Sequence, residues 1–237
     1  MTNPIADMSP RKAAKIAGVV YLICIVLAAF ATIFVRGKLI VYGDAATTVN
    51  NIMASDSLFR LGFVSDLIRQ TVLVLLPLVL YKLLKPVNKN IAALMVVLAL
   101  VGITIGFINK LNLIAPLLLL NSADYLKAFE ADQLYAQVML FLDLNEQGEF
   151  IQMFLSFWLF PLGYLVYKSG FLPRILGILL IIAGFGYLID SITFFLFPNF
   201  GVTISVVTFI GEVLFMLWLL IKGVNVEEWE KSALESA

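Results

Sequence analysis

Six apolar runs, each long enough to cross a bilayer, decide what this chain can become. They are Ile16 to Val35, Leu61 to Tyr81, Ile91 to Ile114, Phe150 to Tyr167, Ile175 to Phe197 and Val202 to Ile221. A spanning helix needs about 20 apolar residues, so these runs take up roughly half the chain and leave short loops and tails. The fold class expected is therefore all-α, a polytopic membrane helix bundle with six transmembrane helices forming one domain over residues 1–237. Composition agrees: 62% hydrophobic residues and a mean hydropathy of +1.00 exclude a water-soluble globule.

Basic residues orient the spans. Arg11, Lys12, Lys15, Lys82, Lys85, Lys89, Lys168, Arg174, Lys222 and Lys231 fall on one side, against Arg36, Lys38, Lys127 and Arg60 on the other. The positive-inside rule then places both termini in the cytoplasm. A competing reading takes the first run as a signal peptide cut near Ala29-Phe30-Ala31, leaving five spans. Outside the membrane, Asp44 is placed to cap a short helix with Ala45, Val49, Ile52 and Met53 on one side, either an interfacial stripe or an ordinary surface helix. Asn121 to Gln133 reads as a second polar helix, with Asp132 placed to cap the fourth span.

Two segments share a pattern: PLVLYKLLKPVNKNIAALMVVLALVG from Pro77 and PLGYLVYKSGFLPRILGILLIIAGFG from Pro161. Both put Pro-Leu in a helix, Tyr-Lys at the border and a proline in the turn, which fits a parallel helical-hairpin repeat and equally fits convergence on border chemistry. Gly102 with Gly106, and Gly177 with Gly184, read as sites of close helix packing.

The chain has no histidine and one cysteine, Cys24, so histidine-dependent nucleophiles, His-ligated metals and intrachain disulfides are excluded. A formal net charge of zero removes the electrostatic footprint of a nucleic-acid binder. No catalytic, metal or cofactor motif is present, and the expected partners are the lipid bilayer and a small solute or cation; the sequence leaves the oligomeric state open.

The informative residues are those an apolar span should lack: Asp66, Arg69, Lys110, Glu149, Asp190 and Glu212. Counting 1.5 Å per residue from the cytoplasmic anchors puts the first five at about 20 to 31 Å, in the outer third, and Glu212 at about 15 Å, near the midplane. An ionised side chain at the bilayer centre costs about 2.5 to 3.5 kcal/mol, so these groups must turn inward, pair, meet water or lose their charge. Helical spacing permits it: Gly62, Asp66, Arg69 and Leu73 share a face, as do Glu149, Gln152 and Ser156, then Gly186, Asp190 and Thr193, then Ser205, Thr208 and Glu212. With Asp143, Glu146 and Arg60 the layer would carry 3 − 6 = −3 charges, which calls for protonation or a bound cation, although Asp143, Asn145, Glu146 and Gln147 also read as ordinary surface at the interface. The structural alternative pairs Asp66 with Arg69, and Lys110 with Glu149 or Asp190, to fix helix register.

The order GDAATTVNNIMASDSLFRLG, LYKLLKPVNKNIAAL, YKSGFLPRILGILLIIAGFGYLIDS and LWLLIKG resembles the bacterial integral-membrane family catalogued as domain of unknown function 4386, most distinctively at Gly170-Phe171-Leu172-Pro173-Arg174 and Leu176-Gly177. The resemblance implies a multi-spanning bacterial inner-membrane protein and supplies no catalytic residues. Mechanism then rests on the charges, and the leading expectation is binding or transport of a proton, cation or small polar solute through an outward-facing vestibule. Alternating access would involve Pro77, Pro116 and Pro161 as helix irregularities. The alternatives are a membrane-embedded enzyme acting on lipid or isoprenoid phosphates and a regulatory or scaffolding subunit.

Overall fold

The computed structural model describes residues 8–121, 124–154, 156–197 and 201–235, apart from the side chains of residues 125, 152 and 154. The Gln152 side chain and residues 122 and 123 thus lie outside the described parts. Every regular element among the described residues is helical, as lipid requires of a backbone that must satisfy its own hydrogen bonds. In chain order these are α1 (Pro10–Ala29), a π-helix (Phe30–Arg36), α2 (Gly37–Leu39), α3 (Ala45–Ala54), α4 (Asp56–Leu73), α5 (Leu75–Leu84), α6 (Lys89–Asn109) and α7 (Leu111–Leu119). A 3₁₀ turn (Asp124–Ala128) leads to α8 (Ala131–Phe154), and a second (Ser156–Trp158) to α9 (Leu159–Lys168). Then come α10 (Arg174–Leu196), α11 (Ser205–Thr208), α12 (Ile210–Ile221) and α13 (Val226–Glu235).

Five of the described helical stretches are long and apolar enough to cross a membrane: Pro10–Leu39, Asp56–Leu84, Lys89–Leu119, Ala131–Lys168 and Arg174–Leu196. A sixth is added if Ser205–Ile221 and Val226–Glu235, bent by 101°, are taken together. Only 28–44% of each of the five apolar windows is buried, and Val26, Phe34, Val97, Leu111 and Val206 stand exposed. Soluble proteins do not display apolar surface on this scale, so the helices are compatible with a membrane helix bundle.

The helices outrun the apolar runs. The first continues past Val35 to Leu39, so Arg36 and Lys38 sit on a helix and not in a loop. The fourth starts at Ala131 and not near Phe150, which takes Asp143 to Gln147 into α8. Asn121 to Gln133 is not the helix expected, because a 3₁₀ turn precedes α8; Asp132 lies inside the first turn, and it is Gln133 Oε1 that accepts the Glu130 N–H, at 3.0 Å. Breaks fall upstream of prolines: α4 ends at Leu73, whose carbonyl Pro77 would meet, and the second 3₁₀ turn holds Phe157, in the same relation to Pro161.

The chain divides into two compact units, one drawn from Met1–Leu22, Val72–Ile103 and Phe150–Ala237, the other from Ile23–Thr71 and Thr104–Glu149. In the second unit, Asp44 caps α3, its carboxylate accepting the Thr47 N–H at 2.9 Å and the Thr47 hydroxyl at 2.7 Å. These donors hold the Asp44 carboxyl below its ordinary range. Val49 and Ile52 bury into a core with Val35, Leu39, Phe59, Leu113, Val138 and Leu142. Helix α3 therefore packs Val49 and Ile52 against the core and leaves Ala46, Thr47, Asn50, Met53 and Ala54 exposed, which is the ordinary surface helix of the two readings, with Met53 off the packed face.

In the first unit α9 and α10 form a close hairpin. A Cβ on Gly177 would stand 2.5 Å from the Gly163 carbonyl oxygen and 2.6 Å from the Tyr167 backbone nitrogen, so backbone meets backbone here. A Cβ on Gly211 would likewise lie 2.6 Å from the Leu179 carbonyl oxygen, drawing α12 onto α10. Gly223, at φ +70°, turns the chain into α13, where the Trp229 indole donates to the Leu83 carbonyl at 2.8 Å. The segments from Pro77 and Pro161 both fold as helix, short turn and helix.

Gly177→Ala should cost about 1 to 3 kcal/mol, because the clashing atoms are backbone and cannot swing aside. Gly184→Ala, whose Cβ would face the flexible Phe160 ring at 3.2 Å, should cost less. Thermal unfolding of the two variants in detergent checks this; equal losses would contradict the packing described.

Candidate functional site

Helix α4 buries Phe59, Gly62, Asp66 and Gln70 along one face. The absent side chain at Gly62 lets Val35 approach, since a Cβ there would be 2.7 Å from Val35 Cγ1. The next residue after Val35 is Arg36, the last of the π-helix, and its Nη1 reaches Asp66 Oδ2 at 2.5 Å while Nη2 donates to Thr32 Oγ1 at 2.8 Å. Wide π turns inside α-helices often mark functional positions.

Asp66 gathers two further cations: Arg69 Nε lies 3.6 Å from Oδ1, and Lys110 Nζ lies 3.8 Å from Oδ2. Lys110, at the break between α6 and α7, also donates to Glu149 Oε1. Side-chain exposure is 1% for both Asp66 and Lys110, against 29% for Glu149. Beside this bridge Asn109 Nδ2 donates to the Asn145 carbonyl at 2.9 Å, and Asn112 donates to Asn109 Oδ1 at 3.1 Å. Gly148 makes room for it, as a Cβ there would fall 2.0 Å from Asn109 Oδ1.

The linked groups are thus Arg36, Arg69 and Lys110 against Asp66 and Glu149, giving 3 − 2 = +1 if all are ionised. This differs from the acid-rich layer expected. Arg60 instead pairs with Asp56 on an exposed helix face at 2.7 Å. Asp143 and Glu146 act on Tyr42, whose phenol is pushed up by partial burial and by these carboxylates while Arg36 pulls it down. Asn145, grouped by sequence with interfacial surface, is buried.

The network leaves hydrogen-bonding capacity over. Arg69 Nε and Asp66 Oδ1 are buried and, at 3.6 Å, too far apart for a hydrogen bond. Gln70 is fully buried, and neither its amide oxygen nor its nitrogen has a hydrogen-bond partner among the described residues. Such groups cost about 1 to 3 kcal/mol each when left unmade.

The other two sequence candidates belong to the first unit. Asp190, on α10, accepts the backbone N–H groups of Ile204 and Ser205, each at 2.7 Å, and so holds the start of α11. Of the two acids offered to Lys110 by the sequence, Glu149 is the one it pairs with. Glu212, on α12, is buried and accepts hydroxyl hydrogen bonds from Tyr21 and, at 2.6 Å, from Tyr187. Both partners are tyrosine hydroxyls of the same unit. Sequence reasoning missed Arg36, Gln70, Asn109 and Asn145; the adjacent Asn109 and Lys110, unique polar neighbours within the third apolar run, were the available signal.

A family model described as Domain of unknown function (DUF4386) matches residues 16–223. The chain belongs to this family. All six charged candidates fall inside the matched part of this DUF4386 protein. A relative from Archaeoglobus fulgidus, described as an uncharacterized protein, is 38% identical over 149 residues, covering 63% of this chain and 75% of its own. No solved structure matches the chain.

Asp66→Asn in the DUF4386 chain removes the shared partner of three cations and should destabilise by about 3 to 5 kcal/mol. Arg60→Gln, at an exposed pair, should change stability by less than about 1 kcal/mol. Denaturant or thermal unfolding in detergent compares them, and a loss for Asp66→Asn no larger than for Arg60→Gln would contradict the network.

Proposed function

We propose that this protein binds a small polar solute at the Asp66 network and carries it across the bacterial inner membrane, with six spans and both termini cytoplasmic. The carrying observation is that a buried, multiply paired cluster retains donors and acceptors unmade among the described residues, at Arg69 Nε, Asp66 Oδ1 and the Gln70 amide. A register-fixing ion network has no use for them, because each unmade group subtracts from the stability such a network would supply.

The same groups argue for the class of solute. Three cations around two carboxylates repel a free metal cation, whereas donors and acceptors side by side suit a molecule that offers both. A zwitterion or a neutral polar solute meets that demand. Ten basic residues against four support the orientation, and counting along the helices from those anchors supports a site in the outer half.

Two tests follow. Cysteines introduced near Asn88 and Ser232, in a background where native Cys24 is buried, should resist membrane-impermeant reagents applied to intact cells; labelling at either position would refute the orientation. For the solute, melting temperature in detergent is measured against amino acids, polyamines, carboxylates and sugars. A ligand at about 100 times its Kd should add about 2.7 kcal/mol, and Gln70→Leu should abolish the shift while leaving the unliganded protein at least as stable. Failure of every compound, or a shift that Gln70→Leu leaves intact, would refute the reading.

A further inference from the structure

A second polar station lies in the first unit, and the solute reading makes no use of it. Glu212 is 6% exposed, and each of its carboxylate oxygens accepts one hydroxyl, Tyr21 from α1 and Tyr187 from α10. Asp190 stands one turn along α10 from Tyr187 and, with Glu212, places its negative charge near that phenol. No cation forms an ion pair with Glu212 among the described residues.

This choice of partners has a chemical consequence. A Lys or Arg beside Glu212 would satisfy the ionised form alone, because neither can accept a hydrogen bond. A tyrosine hydroxyl both donates and accepts. With two hydroxyls donating, the carboxylate is satisfied; with one proton added to a carboxylate oxygen, that oxygen donates to its tyrosine, which rotates its own hydrogen away, and the other contact is unchanged. The heavy atoms keep their places in both states. A clamp of this kind fits a group that gains and loses a proton.

A route to it is also present. Asp190 lines a groove of about 190 Å³ together with Thr193 and Thr203. From Ser205, whose N–H Asp190 holds, the polar face continues one turn to Thr208 and one more to Glu212. Thr208 Oγ1 is buried with no hydrogen-bond partner among the described residues, and it sits where a Cβ on Gly186 would come within 2.0 Å. Glycine at 186 thus leaves space for a hydroxyl between Asp190 and Glu212 that the packing does not otherwise need.

We propose that Glu212, clamped by Tyr21 and Tyr187, is a reversible proton-binding site within the membrane, loaded from the Asp190 groove past Thr208. The step is simple protonation: a proton joins one carboxylate oxygen, no other bond changes, and the charge of the site falls from −1 to zero.

pH-difference infrared spectroscopy of the full chain in lipid nanodiscs tests this. Lowering the pH from about 9 to about 5 should produce a protonated-carboxyl band that reverses on return, that is missing in Glu212→Gln, and that shifts to higher frequency in Tyr187→Phe through loss of one hydrogen bond. Tyr187→Phe keeps the test decisive should Glu212→Gln fail to fold. After a pH jump, Asp190→Asn should slow the appearance of the band. A Glu212 band that never titrates in this range, or one indifferent to Tyr187→Phe, would overturn the proton site; an unchanged rate in Asp190→Asn would overturn the route. Solute-induced stabilisation that depends on Gln70 is a separate readout, so the two proposals fail independently.

Discussion

Charge held away from water must find a partner inside the protein, and in this chain that demand falls most heavily on Asp66. A lone carboxylate at the bilayer centre costs about 2.5 to 3.5 kcal/mol on insertion scales, and more where no water reaches it. Asp66 is almost wholly buried and draws Arg36, Arg69 and Lys110 around it, while Lys110 in turn takes Glu149. The arrangement links the end of the first helix, the middle of α4, the α6 to α7 break and α8 within one unit. Remove Asp66, and three cations lose their common counter-charge.

Small residues and helix breaks give those side chains their positions. Gly62 admits Val35 and so sets Arg36 over Asp66, and Gly148 admits Asn109 beside Lys110. In the other unit Gly163, Gly177 and Gly211 let helices meet backbone to backbone, and Gly186 does the same for the Thr208 hydroxyl. In lipid no hydrophobic drive pulls one helix to another, so close van der Waals contact and interhelical hydrogen bonds must do it. The glycines that permit close packing are thus the residues that place the polar groups.

Much of this was legible in the sequence. The apolar runs located the helices, the prolines marked where they break, Asp44 announced α3, and the charges within spans named groups that the structure shows to be buried or half-buried. What escaped has a common physical cause. Hydropathy ends a span where polar and charged residues gather at its edge, whereas a helix continues wherever its backbone bonds are met and a partner awaits the charge. Arg36 was therefore read as loop, and Asn145 as surface. The partners of Glu212 and Asp190 were invisible for another reason: tyrosine hydroxyls and backbone N–H groups leave no charge pattern in a sequence, so a search for oppositely charged residues could not find them. Gln70 carried no signal because its distinction, a buried amide with no hydrogen-bond partner among the described residues, exists only in the packed state.

The central claim is that the Asp66 network is completed by a solute and is not closed upon itself. An experimental density map of the protein in nanodiscs of native lipid tests it most directly. The account predicts non-protein density, larger than a single water, within hydrogen-bond distance of Arg69 Nε and the Gln70 amide. Finding Gln70 hydrogen-bonded to neighbouring protein groups, with Arg69 Nε closed onto Asp66 and nothing between them, would contradict it.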